Sequence, residues 1–303
     1  MKNRNLLGTI ELLIATFIWG STFVAQSAGM DYVGPFTFLF VRFIIGAVVL
    51  LPLIAVRNVS AKKSATYQPS TTADKKKLVT GGVVCGCFLF VAAALQQIGI
   101  IYTTVGKAGF ITTLYVIFVP LFGLFLGKKP SANVWISVVL AVVGLYLLCM
   151  TEGLTLSFGD TLVLLCALCF TGHIMAVDKV VAYADPIKLS CVQFLTVGVL
   201  SFVPAVVFEN PNPQSIVSAW LPILYAGLLS SGVAYTLQVV AQRHAEPTVA
   251  SITMSFESVF AVISGFVILG ETISPREGFG CFVMLAAIIL AQLPPFGKLK
   301  KQV

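Results

Sequence analysis

Two stretches, Ile111–Ser131 (ITTLYVIFVPLFGLFLGKKPS) and Met254–Ser274 (MSFESVFAVISGFVILGETIS), decide how this sequence folds. Each is an apolar run of about the 20 residues that a helix needs to cross a bilayer. They read as two copies of one unit, because Val116/Val259, Val119/Val262, Leu126/Leu269, Gly127/Gly270 and Ser131/Ser274 coincide. Apolar helices share residues by chance, so the informative position is the one after the shared glycine. It holds Lys128 in the first copy and Glu271 in the second. If each copy belongs to a unit of five spans, an odd number, the second unit inserts upside down. Lys128 and Glu271 then fall on opposite sides of the membrane, and the change of sign is what the cytoplasmic bias of basic residues selects. A looser match of Ala15–Thr22 with Cys166–His173, around Trp19 and Phe170, pairs the first spans of the two units.

The remainder of the chain has the same character. It has 303 residues, of which 58% are hydrophobic and 10% charged, with a mean hydropathy of +0.98. Soluble domains run at about 45–50% apolar and about 25% charged, so a soluble globular domain and a disordered chain are both excluded. Apolar runs separated by charged, Pro or Gly breaks give ten spans, at about 6–26, 36–56, 79–100, 105–126, 133–150, 160–179, 188–208, 217–239, 249–269 and 277–293. The expected fold is an all-α integral membrane protein with ten transmembrane helices as two inverted five-helix repeats, residues 1–150 and 151–303. Helices satisfy their backbone groups internally in hydrocarbon, and the short alternating segments of a β-barrel are absent from the sequence. Lys2 and Arg4 precede the first run and Ala25-Gln26-Ser27 follows it. Its apolar core is longer than that of a signal peptide, so it reads as a retained span.

Ten spans put both termini on one side, and that side carries sixteen of the nineteen Lys and Arg residues. The other side has only Lys107 and Arg276, with Arg42 inside the second span. Both termini are therefore expected in the cytoplasm. The net charge of +7 is topological and implies no nucleic-acid partner. All seven cysteines lie in apolar runs and read as buried free thiols. The one long loop, about 57–78, reads as a mobile cytoplasmic connector.

Several local motifs add to this pattern. They are Phe17-Ile18-Trp19-Gly20-Ser21-Thr22-Phe23 in span 1, Arg42-Phe43 in span 2, and Tyr102-Thr103-Thr104 leading to Ala108-Gly109-Phe110 and Leu114-Tyr115-Val116 in span 4. The second half has Ala241-Gln242-Arg243, Pro247-Thr248, Phe256-Glu257-Ser258-Val259-Phe260 and Leu269-Gly270-Glu271. With these motifs, nearly the whole chain resembles the drug/metabolite transporter superfamily, specifically the EamA-type permeases. The resemblance implies a ten-helix permease of the bacterial inner membrane, often an exporter of amino acids or related metabolites, with spans 1, 3, 4, 6, 8 and 9 around a central cavity. Two positions depart from the family pattern. Lys128 stands where the family often has Glu, and Ser258 where it often has Pro after the span-9 Glu.

Ionisable groups at bilayer depth cost several kcal/mol on most scales and mark functional sites. Glu257, near the middle of span 9, leads the candidates: a carboxylate there can carry a proton between the two sides or pair with a substrate ammonium. His173, in the middle of span 6, is an imidazole of the kind that changes charge near neutral pH. Glu11 and Arg42 read instead as interfacial or packing groups. Trp19, Gln96, Tyr115, Tyr235 and Gln238 complete the expected substrate-binding and coupling set, since amides and phenols orient small polar ligands and aromatic faces attract ammonium. Gln97, Gln193 and Tyr225 are further neutral polar candidates. Gly82–Gly86 and Gly123–Gly127 have the GxxxG spacing of close helix packing.

No phosphate loop, HExxH or DDxxD motif occurs, and Cys166-x-x-Cys169 lacks a second ligand pair, so no cofactor and no metal are expected. The reading is a secondary transporter, not an enzyme, moving a small molecule by alternating access, with protons as a candidate coupling ion. Glycines with Pro120, Pro204 and Pro222 would supply its hinges. The competing class is a membrane-embedded enzyme acting on lipid or isoprenoid substrates, which would need clustered carboxylates or histidines at a membrane face. The only histidines are His173 and His244, and the sequence assigns no oligomeric state.

Overall fold

Helix starts are written into the sequence as caps. Thr71 with Asp74, Ser157 with Asp160 and Ser274 with Glu277 form reciprocal capping boxes, each satisfying two otherwise orphaned N–H groups. Pro35, Pro186, Pro247 and Pro275 each open a helix where their missing N–H costs nothing. The computed structural model describes residues 2–63, 71–103, 105–149, 157–269 and 273–293. Among them all regular structure is helical. It comprises α1 (Lys2–Gly29), α2 (Pro35–Lys62), α3 (Thr72–Gly99), α4 (Val105–Thr112), α5 (Tyr115–Phe125), α6 (Ala132–Cys149) and α7 (Phe158–Val181). After these come α8 (Pro186–Pro204), α9 (Pro213–Ser218), α10 (Trp220–Tyr225), α11 (Thr236–Gln242), α12 (Pro247–Met254), α13 (Glu257–Ser264) and α14 (Pro275–Gln292).

Nine segments among the described residues are long and apolar enough to cross a membrane, and Ala132–Leu147 is a shorter apolar helix. Four of the crossings are not regular α-helices throughout. Residues 105–125 are divided into α4 and α5, and 247–264 into α12 and α13. A wide-turn π segment, Ala226–Tyr235, joins α10 to α11, and a π turn, Ala205–Glu209, extends α8 directly after Pro204. The loop expected at 57–78 is shorter than the polar composition suggested. α2 runs to Lys62 and α3 begins at Thr72, because the capping box starts that helix seven residues before its apolar run.

Contacts between helices come in matched sets. α2 packs on α8, and α6 on α14. α3 lies on α7 and α8, while α10, the π segment and α11 lie between them on α1 and α2. α1 packs on α12 and α13, as α7 packs on α4 and α5. One end of the bundle is basic and carries the ion pairs Lys128–Asp178 (2.7 Å) and Arg57–Asp185 (3.8 Å). At the other end the Glu209 carboxylate clamps the start of α2. It accepts from the Phe36 N–H (2.8 Å), the Thr37 N–H (2.7 Å) and the Thr37 hydroxyl (2.7 Å). The perimeter is apolar and exposed, with Phe125, Phe208 and Val267 among its most open residues, as a lipid-embedded surface requires.

Of the two GxxxG pairs, Gly82 and Gly86 lie against Val192 and Thr196 of α8, close packing within the bundle. Gly123–Gly127 does not pack this way. Gly127 ends α5 at φ +77°, with the Lys128 N–H returning to the Gly123 carbonyl (2.9 Å) and the Gly127 N–H to that of Leu124 (3.0 Å), the Schellman arrangement that favours glycine. Glu271 lies outside the described residues. A close helix approach beside Glu257 is at Gly20, where a Cβ would stand 2.6 Å from Phe260 Cβ and 2.7 Å from the Glu257 carbonyl oxygen. Gly20→Val is expected to lower the thermal unfolding midpoint in detergent, at a cost of about 1–3 kcal/mol from overpacking. Gly278→Ala, at a position with nothing within 4 Å, is expected to leave the midpoint unchanged or slightly raised.

Candidate functional site

The polar interior is assembled by helix periodicity. α1 presents Trp19, Phe23 and Gln26 on one face, at spacings of four and three. Facing them are Ser230 and Tyr235 from the π segment and Gln238 from α11. Gln96 of α3, Thr112 of α4, Tyr115 of α5, Phe170 and Ile174 of α7, Met254 of α12 and Glu257 of α13 complete a central cavity, with Arg42 reaching in from α2. Its free volume is about 40 Å³, room for on the order of three waters and far below the roughly 300–1,000 Å³ of ligand pockets.

The two divided crossings position the central pair. At the α4–α5 break the Leu114 N–H reaches Ile111 and the Val116 and Ile117 N–H groups reach Thr113 and Leu114, a local tightening to i−3 bonds. At the α12–α13 break the same ladder recurs, from Phe256 to Thr253, Ser258 to Ser255 and Val259 to Phe256. The two ladders correspond at a separation of 142 residues, one less than the alignment of Ile111–Ser131 with Met254–Ser274 implies. In the structural register Tyr115 is the counterpart of Glu257. These two counterparts meet: the Tyr115 hydroxyl donates to Glu257 Oε1 (3.2 Å). Beside them the Thr113 and Ser258 hydroxyls lie 3.3 Å apart, and Ser258 also donates to the Gly109 carbonyl (3.2 Å), tying the two breaks together.

Arg42 is only 2% exposed, so of the interfacial and packing roles expected for it the structure has the buried, packed one. Its guanidinium sits over the Phe43 ring at 4.8 Å and the Phe38 ring at 5.9 Å, the cation–π support that a desolvated arginine gains, and Tyr235 lines the same cavity. Nε and Nη1 of Arg42, Nε1 of Trp19 and Oε1 of Gln238 are buried without a partner among the described residues. Arg42 and Glu257 form no ion pair within 4 Å, although both line the same small space.

Six of the seven expected site residues, Trp19, Gln96, Tyr115, Tyr235, Gln238 and Glu257, line this cavity. Trp19 and Tyr235 pack with ring centroids 4.9 Å apart and their planes tilted by 60°. Gln96 donates to the Thr112 hydroxyl (3.1 Å). Gln238 donates to Gln242 (3.1 Å), which in turn donates to the Ile174 carbonyl (3.0 Å). His173 is not brought to the cavity. It is fully buried behind the wall, bonded to Gln193 (3.0 Å), with its ring edge-on to Tyr235. Gln97 donates to the Gln26 carbonyl and Tyr225 bonds Ser21, so both serve helix packing. Glu11 is half-buried beside His244 at the basic end. Sequence reading missed Gln26, Thr112, Ser230 and, above all, Arg42. The signal for Arg42 was present: it is the one basic residue that belongs to neither side of the membrane.

The EamA-like transporter family matches two stretches of this chain, residues 6–150 and 157–293. The chain belongs to that family. An uncharacterized transporter of Archaeoglobus fulgidus is 29% identical over 291 residues, spanning 96% of this chain and 87% of the relative. The uncharacterized inner membrane transporter YedA of Escherichia coli (strain K12) is 23% identical over 298 residues, spanning 97% and 93%. A solved crystal structure superposes with a TM-score of 0.76 over 97% of this chain and 99% of that one at 18% identity, which shows a shared fold. This EamA-type protein is thus a multi-pass membrane transporter for a small molecule rather than an enzyme by family. Because Trp19 is in the cavity wall, a W135F/W220F variant, leaving one of the three tryptophans, is expected to report occupancy. Its emission should shift and quench saturably on adding a transported solute, and Trp19→Phe should abolish that signal.

Proposed function

We propose that the protein exports amino acids or closely related small metabolites across the inner membrane by alternating access. Two inverted five-helix repeats, residues 1–150 and 151–303, rock against each other around the cavity, with both termini in the cytoplasm. Discontinuous helices in corresponding positions of two halves are the usual location of a transporter's binding site, and the α4–α5 and α12–α13 breaks support that placement. Ridges of small residues such as Gly20 and Gly86 allow helices to slide as bodies, and the π segments after Pro204 and Pro222 supply bending.

One observation carries the substrate class. A cation that cannot lose its proton, Arg42, and a carboxyl group, Glu257, face one small cavity without pairing with each other within 4 Å. A zwitterion satisfies both, its carboxylate on the unspent Arg42 donors and its ammonium on Glu257, with the Trp19 and Tyr235 faces beside it. Such groups at membrane depth need compensation, which a zwitterionic solute supplies at both ends. When the solute leaves, Glu257 takes a proton in place of the ammonium, which couples export to the proton gradient. His173, behind Tyr235, holds that ring in position.

The test is flux in proteoliposomes with a panel of amino acids, nucleobases and cationic drugs, with and without an imposed pH gradient. Saturable amino-acid flux that follows the gradient is expected. Glu257→Gln should lower it about 10- to 100-fold, the loss expected for a charged hydrogen bond, and remove its gradient dependence while thermal stability holds. Saturable flux indifferent to the gradient would reject proton coupling, and flux confined to nucleobases or cationic drugs would reject the substrate class.

A further inference from the structure

Away from the cavity, a groove of about 840 Å³ opens on the lipid-facing side between α3 and α7. Its lining is divided by chemistry along its length. At the basic end stand Lys76, Lys77 and Lys179 with the exposed Tyr183; toward the middle of the bundle it is walled by Val84, Phe88, Phe122 and Leu168. No carboxylate lines it. None of the three lysines makes an ion pair within 4 Å among the described residues; of the nearest acids, Asp178 is held by Lys128 (2.7 Å) and Asp74 by the Thr71 cap. The floor is kept low by Gly172, where a Cβ would run into the Phe88 ring.

We infer that this groove is a specific site for an anionic phospholipid, its phosphate held by Lys76, Lys77 and Lys179 and an acyl chain laid along Val84, Phe88 and Leu168. The dimensions suit this occupant. From Lys77 to Phe88, at about 1.5 Å per residue, the rise is about 16 Å, close to half of the roughly 30 Å hydrocarbon thickness. The antiparallel α7 repeats the spacing from Lys179 to Leu168. With the lysines at headgroup depth, the aromatic end of the groove therefore falls near the midplane. Basic pockets between transmembrane helices recognise anionic headgroups by charge, whereas a zwitterionic lipid would bring its own cation against three lysines. The site is independent of the transported solute.

The test uses the purified full-length protein in neutral detergent, with phosphatidylglycerol, phosphatidylcholine or inorganic phosphate added, read by thermal unfolding and by native mass spectrometry. Phosphatidylglycerol should raise the unfolding midpoint and remain bound in the spectrum, and phosphatidylcholine should do neither at the same concentration. Each single Lys→Gln change should weaken phosphatidylglycerol binding about fivefold, and K76Q/K77Q/K179Q by about a hundredfold; these exposed positions leave the fold intact, which the lipid-free midpoint verifies. Equal effects of the two lipids, a triple variant that keeps the preference, or a stabilisation reproduced by inorganic phosphate alone would each overturn the proposal.

Discussion

A guanidinium in the middle of a membrane protein constrains everything around it. Arg42 cannot shed its charge, and a cation taken into hydrocarbon without compensation would unfold or expel its helix. The bundle answers with what surrounds it: the faces of Phe38 and Phe43, the Tyr235 hydroxyl, and a shared cavity with the Glu257 carboxylate. None of these neighbours neutralises it as a close ion pair would. The polar interior thus brings a guanidinium and a carboxyl group to one small cavity without an ion pair between them.

The second constraint is duplication. Crossings broken at corresponding positions bring Tyr115 and Glu257, counterparts in the structural register, into contact with each other. This hydrogen bond lies where the two divided crossings meet. Matched helix pairs, α2 with α8 and α6 with α14, extend the same relation outward. The Tyr115–Glu257 bond joins one residue from each of the two stretches that match the family, 6–150 and 157–293.

Much of this was legible in the sequence, and the limits are physical. Spans were readable because a helix in lipid must be apolar along about 20 residues, a signal composition cannot hide. Helix breaks were not, because a tightening to i−3 bonds at Thr113 and Ser255 needs no proline or glycine and leaves hydropathy unchanged. The one-residue difference in repeat register escaped for the same reason: valines match valines at several offsets. In the site, Glu257, Tyr115, Trp19, Gln96, Tyr235 and Gln238 were chosen for being polar at mid-span, and depth alone put them near the cavity. Depth does not say which way a side chain points, so His173 was grouped with them although it packs behind Tyr235 on Gln193. Arg42 was read as an interfacial or packing group because arginine usually snorkels; the aromatic residues that hold it inward, Phe38 and Phe43, stand close by in the sequence.

In the proposed cycle Arg42 and Glu257 act as separate partners for the two ends of one solute. The direct measurement is calorimetric binding of a transported amino acid, its deaminated acid and its decarboxylated amine to the wild type, Arg42→Gln and Glu257→Gln proteins. The prediction is a crossed pattern. Wild type should bind the intact amino acid tightest. Glu257→Gln should no longer distinguish it from the deaminated acid, and Arg42→Gln should no longer distinguish it from the amine. If both variants lose affinity for all three compounds in equal proportion, the two charges support the fold and do not read the solute, and the central claim is wrong.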